Sequence, residues 1–474
     1  MSASSISMAL PELAEAAPGL IARSGDAEIS GLAHDSRTVN PGDLFFCVPG
    51  AVHDGHDFAA DALARGAAGL VVERPLDLDC PQLQAKSARQ AMGPISAVFY
   101  GRPSHSMEVI GVTGTNGKTT VCSLLGSVLG AAGLQTEVLG TLTGALTTLE
   151  SVDLQCKLAG WRSAGTKAVV IEVSSHALDQ HRVDGIRFDV AVFTNLTADH
   201  LDYHRTMDEY FAAKSRLFTP QLSDRAVVNA GDDYGKLLAA RHRIPTVAYD
   251  PRKAPVWLGP RGLALRWRGQ DVGLPLIGRF NAANALAAAE AALLLGASPS
   301  EVVAGLESAA PVPGRFETIG AGSPFTVVVD YAHTPDGLAQ VLVAARELVA
   351  GAGCLRLVFG CGGDRDPQKR PMMGGVAAEL ADQVIVTSDN PRSEEPEAII
   401  ADILGGVPED SDGISVQPDR RAAIAQCLAN ASDGDVVLVA GKGHETTQAV
   451  GHRLIPFDDR VVARELLASR GPAR

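Results

Sequence analysis

The chain lacks the excess of positive charge that most nucleic-acid-binding proteins carry. Its 474 residues include 41 Lys and Arg against 55 Asp and Glu, which gives a formal net charge of -14. This acidic balance disfavours nonspecific binding to nucleic acid or to an anionic membrane surface. An anionic small molecule needs only a local basic pocket, so that class of substrate stays open. We therefore predict no nucleic-acid partner.

Long apolar runs and paired cysteine motifs are also missing. No stretch approaches the roughly 20 uninterrupted apolar residues that a helix needs to cross a bilayer, so we predict no membrane span. Acids at Glu12 and Glu15, without a basic-then-apolar sequence, lead us to expect no secretory signal. The seven cysteines are scattered and include no C-x-x-C, which is typical of reduced thiols in a cytoplasmic protein.

Aromatic residues make up only 5% of the chain, yet hydrophobic residues make up 46% and charged residues 20%. That composition argues against disorder and is sufficient for well-packed cores. The length predicts about three domains. Short β-like runs alternate with polar loops and helix-like stretches, without an internal repeat, so we predict the α/β class.

A glycine loop between a strand-like and a helix-like stretch is the most specific local pattern. In such loops backbone N–H groups and the helix N-terminus face nucleotide phosphates, the Lys reaches the outer phosphates and the Thr hydroxyl holds Mg²⁺. The longer pattern G-x-x-x-x-G-K-[ST] is not met, because Val112 occupies its first Gly position. The predicted phosphate-binding residues are Gly114, Thr115, Asn116, Gly117, Lys118, Thr119 and Thr120.

The order of the β-like and helix-like stretches along the chain predicts three segments, each with its own architecture. Residues 1–104 form a small N-terminal α/β unit that ends in the polar segment 101–104, which we interpret as a linker. Residues 105–316 contain the phosphate loop on a parallel sheet, and residues 317–474 form a doubly wound, Rossmann-like sheet. The predicted strands are 44–48, 69–73, 108–113, 168–173, 190–194, 226–229, 325–330, 355–359, 383–387 and 435–439.

Polar and glycine-rich loops follow nearly every strand predicted in the second and third segments. In open parallel sheets, ligands bind outside the carboxyl ends of the strands. Each loop alone could be a turn with a satisfied polar side chain, but six together predict one large cleft between domains. The loops hold Glu172 with Ser174-Ser175-His176, Asn195 with Asp199-His200, Asp330-Tyr331-Ala332-His333, residues 360–366, Asp389-Asn390-Pro391-Arg392 and Gly441-Lys442-Gly443-His444-Glu445.

Six motifs, spread over almost the whole chain, resemble those of the Mur ligase family and run in the same order. They are residues 113–120, 172–176, 194–202, 313–317, 330–336 and 441–445. The family consists of ATP-dependent amino-acid-adding enzymes of peptidoglycan synthesis, so the resemblance implies an amide-forming ligase. The motif Asp389-Asn390-Pro391-Arg392 resembles most the branch that adds meso-2,6-diaminopimelate to the D-glutamate of UDP-N-acetylmuramoyl-L-alanyl-D-glutamate.

The chemistry of amide formation assigns roles to several of these residues. ATP activates a carboxylate as an acyl phosphate and an amine then attacks, so cations must stabilise the growing negative charge. Lys118, with Mg²⁺ on Thr119, fits the γ-phosphate, and Glu172 and His200 fit a second Mg²⁺. The alternatives are an ion pair for Glu172 and a helix N-terminal position for His200. A second histidine four positions on hints at zinc, but the Glu of H-E-x-x-H is absent.

The resemblance adds residues that spacing alone does not mark. The family carries a carbamylated lysine at the position of Lys214, where its carboxylate would help to hold the second Mg²⁺. From its spacing alone, Lys214 would be an ordinary solvated lysine of the helix-like stretch 209–218. Family positions also place Asn284, Arg315 and Asp330 around the nucleotide, with Arg315 on the γ-phosphate and Asp330 on the ribose hydroxyls. The implied cofactors are ATP and two Mg²⁺ ions.

The resemblance further implies a UDP-sugar-peptide site shared by the first two segments. An Asn often precedes the Thr-Thr pair of this branch, whereas Leu146 stands there in this chain. A backbone or water contact would therefore replace that side chain. The implied residues are Ser36, Thr147, Thr148, Ser174, Gln180 and Arg182.

The choice of amino acid would rest on Arg392. Diaminopimelate differs from lysine by a second carboxylate, and the planar guanidinium fork pairs with a carboxylate in a bidentate way. Glu445 would neutralise an ammonium group. The alternative is an Asn-Pro turn that leaves Arg392 on the surface. The implied pocket residues are Arg365, Asp389, Asn390, Pro391, Arg392, Gly441 and Glu445.

Three functions remain open from the sequence. We favour the diaminopimelate-adding ligase over a related ligase, such as a lysine-adding enzyme or a folylpolyglutamate synthase, because of Arg392 and the motif Asp35-Ser36-Arg37. A nucleotide-binding relative without catalysis would not need Glu172, His200 and Lys214 together. We expect a cytoplasmic monomer with small-molecule partners and domains that close over the substrates.

Overall fold

The computed structural model describes residues 6–50, 52–144, 146–241, 243–259, 262–320 and 323–469. Its two large sheets and one smaller sheet are mainly parallel, and helices cover them. The predicted α/β class with parallel sheets is therefore confirmed. Within these ranges, every helix is too short or too polar to cross a membrane. All seven cysteines are free thiols.

The N-terminal part contains a five-stranded sheet whose central strands are buried. Its spatial order is Leu20–Ser24, Gln82–Ala85, Gly69–Val72, Asp43–Phe46 and Gly31–Ala33, and only the first pair is antiparallel. A two-stranded ribbon, Met8–Ala9 with Glu28–Ile29, and the helices Leu10–Glu15, Ala59–Ala64 and Ala88–Phe99 accompany it. The polar segment predicted as a linker is packed, since Arg162 donates to the carbonyl oxygen of Gly101 at 2.8 Å.

The middle part is built on a six-stranded, wholly parallel sheet. Its order is Thr246–Tyr249, Ser223–Asn229, Phe188–Phe193, Glu108–Thr113, Ala168–Glu172 and Thr136–Leu139. Every residue of Ala168–Glu172 is buried, because helices pack on both faces of the sheet. The helices are Lys118–Ala131, Ser151–Ser163, Ser175–Asp179, Leu201–His204, Met207–Ser215, Asp233–Arg241, Phe280–Leu294 and Pro299–Glu307.

A small antiparallel sheet, which the sequence did not lead us to predict, packs against the middle part. It consists of Val256–Gly259, Gly262–Trp267 and Gln270–Leu274. The buried side chains of Leu263, Leu265 and Trp267 alternate with outward-facing residues. They join the core beneath the helix Phe280–Leu294.

The C-terminal part holds the second six-stranded sheet. Its order is Glu317–Ile319, Thr326–Asp330, Val436–Ala440, Leu355–Phe359, Gln383–Val386 and Ile414–Val416, and only the first strand is antiparallel. The helices are Pro335–Arg346, Lys369–Leu380, Pro396–Leu404, Arg420–Ala429 and Asp459–Ser469. Separate cores on the two faces of this sheet make it doubly wound, as predicted. The hairpin formed by Thr447–Val450 and Arg453–Pro456, here called the 447–456 hairpin, was not predicted.

Candidate functional site

A cavity of about 820 Å³ lies where the carboxyl ends of the two large sheets meet. Loops from the middle and C-terminal parts both line it. The residues predicted from sequence that lie in its wall are Thr115, Asn116, Gly117, Lys118, Thr119, Thr120, Thr147, Thr148, Glu172, Ser174, Arg182, His200, Asn284, Arg315, Asp330, Arg365, Asp389, Asn390, Arg392, Gly441 and Glu445. Five predicted residues lie outside this wall: Ser36, Gly114, Gln180, Lys214 and Pro391.

The phosphate loop leaves the strand Glu108–Thr113 and opens the helix Lys118–Ala131. Gly117 has a φ of 86°, and a side chain there would collide with Asn284 Oδ1, so this position requires glycine. The half-buried Lys118 donates from Nζ to the carbonyl oxygens of Gly114 and Thr115 at 3.0 and 2.9 Å. Burial lowers the pKa of its ammonium group. The loop thus places Lys118 and the N-terminus of the helix Lys118–Ala131 at the cavity.

Glu172 lies at the end of a buried strand and gathers hydroxyl groups around its carboxylate. Its Oε2 accepts hydrogen bonds from the hydroxyls of Thr119 and Thr141, both at 3.1 Å. Its Oε1 accepts from the backbone N–H of Thr141 at 3.0 Å. Arg315 donates from Nη2 to Thr119 Oγ1 at 3.0 Å, which brings a guanidinium to the same place. Thr141 was missed from the sequence, although it lies two residues after the end of the strand Thr136–Leu139.

Lys214 lies just behind this wall, on the helix Met207–Ser215, and its side chain is buried. Its Nζ donates to the carbonyl oxygen of Gly114 at 2.8 Å, so Lys118 and Lys214 share one acceptor. The ammonium also lies 4.7 Å from the centre of the Tyr210 ring. Burial lowers the pKa of Lys214 well below its usual range, and the charge of Lys118 lowers it further. A neutral amine is therefore accessible at this position.

Two histidines from different sheets face one buried carboxylate. Asp199 Oδ2 lies 3.3 Å from Nε2 of His200 and 3.9 Å from Nε2 of His333. Burial lowers the pKa of both imidazoles, so the neutral form is favoured. His200 precedes the helix Leu201–His204 with a φ of 55°, which agrees with the helix N-terminal position considered from the sequence. Within the described ranges, no group of three or more His, Cys, Asp or Glu side chains is placed to hold a metal ion.

Contacts across the cavity join the phosphate loop to the C-terminal sheet. Asn116 donates from Nδ2 to Asp336 Oδ2 at 3.1 Å, at the start of the helix Pro335–Arg346. The carboxylate of Asp330 accepts backbone N–H groups of Phe316 and Ala332, each at 2.7 Å. These bonds fix the loop that follows the strand Thr326–Asp330.

Four of the six residues predicted to bind the UDP-sugar-peptide, Thr148, Ser174, Gln180 and Arg182, form a hydrogen-bonded group beside Glu172. Thr148 Oγ1 donates to the carbonyl oxygen of Glu172 at 2.7 Å, and the backbone N–H of Ser174 donates back to Thr148 Oγ1 at 3.0 Å. Arg182 donates to the carbonyl oxygen of Thr148 at 3.1 Å and to Gln180 Oε1 at 2.7 Å. Gln180, though outside the cavity wall, therefore contacts a residue within it.

A contact near Ser36 joins the N-terminal part to the middle part. Ser36 starts the 3₁₀ turn Ser36–Thr38, and His34, two residues earlier, lies 3.0 Å from Asp153 of the helix Ser151–Ser163. Leu146, the departure from the family pattern, lines the cavity with an exposed side chain.

Arg392 lies in the cavity wall and not on the outer surface. Its backbone has a φ of 53° and bonds on both sides to the 447–456 hairpin, from its N–H to Ala449 and from the N–H of Gly451 to its carbonyl oxygen. Its Nη1 donates to the carbonyl oxygen of Gly363 at 2.6 Å. Asn390 donates from Nδ2 to Glu445 Oε2 at 2.8 Å. The hairpin thus shapes a pocket with both cationic and anionic groups.

Comparison with known proteins agrees with this arrangement. Family models match in three segments: "Mur ligase family, catalytic domain" over residues 28–99, "Mur ligase middle domain" over 112–292 and "Mur ligase, glutamate ligase domain" over 314–443. The chain is 45% identical over 474 residues to the UDP-N-acetylmuramoyl-L-alanyl-D-glutamate–2,6-diaminopimelate ligase of Geobacillus kaustophilus, covering 94% of this chain and 96% of that one. It is 46% identical over 478 residues to the ligase of the same name from Synechococcus elongatus, with the same shares covered.

A solved structure of a ligase with that name matches with a TM-score of 0.66 and 33% identity, covering 93% of this chain and 95% of the other. The crystal structure of MurF from Acinetobacter baumannii, at 23% identity and a TM-score of 0.67, shares the fold. These matches agree with the six motifs and with the cavity that unites the phosphate loop and the Arg392 loop. The chain belongs to the Mur ligase family.

Proposed function

We propose that this chain is the ATP-dependent ligase that adds meso-2,6-diaminopimelate to the D-glutamate of UDP-N-acetylmuramoyl-L-alanyl-D-glutamate in peptidoglycan synthesis. The observation that carries the proposal is that the phosphate loop and Arg392 line one cavity. Relatives that carry the name of this ligase are 42–46% identical over nearly the whole chain. A nucleotide, an acceptor carboxylate and an amino acid could thus meet in one place.

The reaction proceeds in two steps. The side-chain carboxylate of the D-glutamate attacks the γ-phosphorus of ATP, which forms an acyl phosphate and releases ADP. The amine of diaminopimelate then attacks the acyl carbon, loses a proton and expels phosphate, so an amide bond is formed. Lys118, Arg315 and the N-terminus of the helix Lys118–Ala131 would supply positive potential for both steps. We assign Asn284 and Asp330 to the nucleoside, since both line the cavity.

The oxygen atoms around Glu172 fit a magnesium ion. The hydroxyl of Thr119 and the carboxylate of Glu172 lie 3.1 Å apart, and hard cations prefer such oxygen ligands. We assign one Mg²⁺ to Thr119 and a second to Glu172 and His200, whose neutral imidazole can donate a lone pair. When bound, these ions would neutralise charge on the phosphates and the acceptor carboxylate.

Carbamylation of Lys214 completes the proposed second metal site. The reaction joins a neutral lysine amine to CO₂ and releases a proton, so it needs an amine with a lowered pKa. Burial provides that condition at Lys214. The anionic carbamate would also offset the charge of Lys118, which shares the carbonyl oxygen of Gly114.

The UDP-dipeptide would extend from the cavity towards the N-terminal part. Arg182 and Thr148 are linked by a hydrogen bond and present a guanidinium and a hydroxyl beside Glu172. The exposed side chain of Leu146 has no hydrogen-bonding group, so only its backbone could bond to the substrate there. We assign the UDP-sugar-peptide site to Ser36, Thr147, Thr148, Ser174, Gln180 and Arg182.

Selection of diaminopimelate over lysine would depend on charge pairing. Arg392 and Arg365 would pair with the remote carboxylate, Asp389 and Glu445 would receive the ammonium group, and Asn390 would orient Glu445. With lysine in the pocket, Arg392 would lose its carboxylate partner, at a cost of about 1–3 kcal/mol. Pro391 and Gly441 would shape the backbone around these groups.

The three predicted domains, 1–104, 105–316 and 317–474, would each contribute one binding region. We propose a cytoplasmic monomer whose domains close when ATP and the UDP-dipeptide bind. Small-molecule substrates are sufficient for this chemistry.

Phosphate release by the purified protein tests the proposal. ATP, Mg²⁺ and the UDP-dipeptide are supplied with meso-diaminopimelate, L-lysine or no amino acid. We expect release above background with diaminopimelate only. Release with lysine would indicate a lysine-adding ligase, and no release with either would indicate a protein that binds nucleotide without this catalysis.

A further inference from the structure

A fully buried lysine lies directly behind the proposed amino-acid pocket. The side chain of Lys442 has no exposed surface and does not line the cavity. Its Nζ donates to Asn390 Oδ1 at 3.1 Å, to Glu445 Oε2 at 2.9 Å and to the carbonyl oxygen of Thr447 at 2.7 Å. An ammonium group has three donors, so all three are used. Two of its acceptors, Asn390 and Glu445, are side chains in the wall of the proposed amino-acid pocket.

These contacts fix the orientation of the Asn390 amide. Its Oδ1 accepts both from Lys442 and from the backbone N–H of Ala449, the latter at 2.9 Å. A flipped amide would turn its NH₂ group towards these two donors, which is unfavourable. The Nδ2 of Asn390 must therefore point to Glu445 and the cavity.

The same contacts orient Glu445. Its Oε2 accepts from Lys442 and from Asn390, at 2.9 and 2.8 Å. Glu445 lies in the cavity wall, and about 29% of its side chain is exposed. Because both bonds go to Oε2, the other carboxylate oxygen is left to bind an ammonium group from the cavity.

We propose that Lys442 is a positioning residue for the amino-acid substrate: its buried ammonium fixes Asn390 and Glu445, so that the free carboxylate oxygen of Glu445 receives the ammonium group of diaminopimelate. This inference rests on the proposed function. Lys442 touches no substrate atom and acts only through its two partners. The 447–456 hairpin supports the same arrangement, since Gln448 donates from Nε2 to the carbonyl oxygen of Asp389 at 2.6 Å.

The charge of Lys442 also keeps Glu445 ionised. Burial raises the pKa of the Glu445 carboxyl, but the charge and hydrogen bond of Lys442 and the bond from Asn390 outweigh it, so the net pKa lies below the usual range. The charged and titratable groups around Glu445 are Lys442, His444, Asp389, Tyr331 and Arg420. Removing the nearest cation should therefore raise the pKa of Glu445.

The test is Lys442→Met, which keeps the length of the side chain and removes its charge and donors. We expect the KM for diaminopimelate to rise about tenfold or more, with the KM values for ATP and the UDP-dipeptide changed by less than about twofold. On the acidic side of the pH profile, kcat/KM for diaminopimelate falls as Glu445 becomes protonated. In the variant this fall should begin at a higher pH, because the pKa of Glu445 is raised. A purely structural role would not shift this fall.

Arg356→Met is the matched control. Arg356 is also a buried cation of the C-terminal sheet, but it pairs with Asp435 at the end of the strands opposite the cavity. The Arg356→Met variant should have a lower thermal stability, but the same KM for diaminopimelate and the same fall of kcat/KM at acidic pH. If Lys442→Met does not fold, Lys442→Gln, which keeps a donor but no charge, replaces it.

The outcomes separate this inference from the proposed function. A wild-type protein that does not use diaminopimelate refutes the proposed function. A wild-type protein that uses it, with a Lys442→Met variant whose KM values all change equally or whose fall of kcat/KM at acidic pH stays in place, refutes the role of Lys442 alone.

Discussion

Arg392 donates a hydrogen bond from Nη1 to the carbonyl oxygen of Gly363 at 2.6 Å, and this bond holds its guanidinium in the cavity wall. The left-handed backbone of Arg392 is held in turn by the 447–456 hairpin. Because a guanidinium carries five N–H donors, further donors remain for a ligand. A fixed fork of this kind can distinguish an amino acid with a remote carboxylate from one without it.

Replacing Arg392 should therefore affect one substrate above the others. We expect Arg392→Ala to raise the KM for diaminopimelate about 30- to 100-fold, because the variant loses a charge-assisted pair worth about 2–3 kcal/mol. The KM for ATP should stay nearly unchanged. Steady-state kinetics with each substrate varied in turn measures this. Arg421→Ala, at an exposed arginine paired with Glu465, is the control. Equal losses for ATP and diaminopimelate would refute the assignment of Arg392.

Lys214 should carry a carbamate at neutral pH. Incubation with ¹³C-labelled bicarbonate should give a carbamate signal in the ¹³C NMR spectrum that disappears in Lys214→Arg. The same variant should lose about 100-fold or more in kcat, as expected when a group that stabilises transition-state charge is removed. Lys157→Arg, at an exposed lysine over Trp161, should keep both the signal and the activity. A fully active Lys214→Arg variant would contradict the proposed role.

The contact between His34 and Asp153 should depend on pH. The hydrogen bond to Asp153 raises the pKa of His34 above the ordinary histidine value of about 6.5. Protonated His34 thus stabilises the contact fully below about pH 6.5, and the contribution is lost as the pH rises through the raised pKa. Since both side chains are partly exposed, we expect less than about 1 kcal/mol.

NMR titration of the His34 ring checks this prediction. In Asp153→Asn the pKa of His34 should fall, because burial then acts without the opposing carboxylate. An unchanged pKa in that variant would show that Asp153 does not stabilise the imidazolium.

Two adjacent arginines should differ sharply in their effect on stability. Arg420 and Asp459 form an ion pair in which both side chains are fully buried. Arg420→Met leaves a buried carboxylate without its partner and should lower the free energy of unfolding by about 3–5 kcal/mol. Arg421→Met breaks an exposed pair and should cost less than about 1 kcal/mol. Urea denaturation of both variants makes the comparison, and equal losses would contradict the burial argument.

The sequence was most informative where local pattern and burial coincide. Strands such as Ala168–Glu172 and Thr326–Asp330 are covered on both faces, so they read as continuous apolar runs. The phosphate loop was predictable because its glycines and Lys118 act within one short segment. The end-of-strand rule also found Glu172 and Asp330, which both line the cavity.

Other features depend on contacts between distant segments and leave no local pattern. His34 meets Asp153 across 119 positions, and Asn116 meets Asp336 across 220. The 447–456 hairpin was missed because its two strands are short and largely exposed, so they leave no apolar run in the sequence. Lys442 stood in a recognised motif, but only its three bonds show that it lies behind the pocket.

The account is tested most directly by a competition experiment on the wild-type protein. Equal concentrations of meso-diaminopimelate and L-lysine are supplied with ATP, Mg²⁺ and the UDP-dipeptide, and mass spectrometry identifies the product. We predict a UDP-tripeptide that contains diaminopimelate in large excess over one that contains lysine. A product made mainly with lysine, or in equal amounts from both, would contradict selection by Arg392.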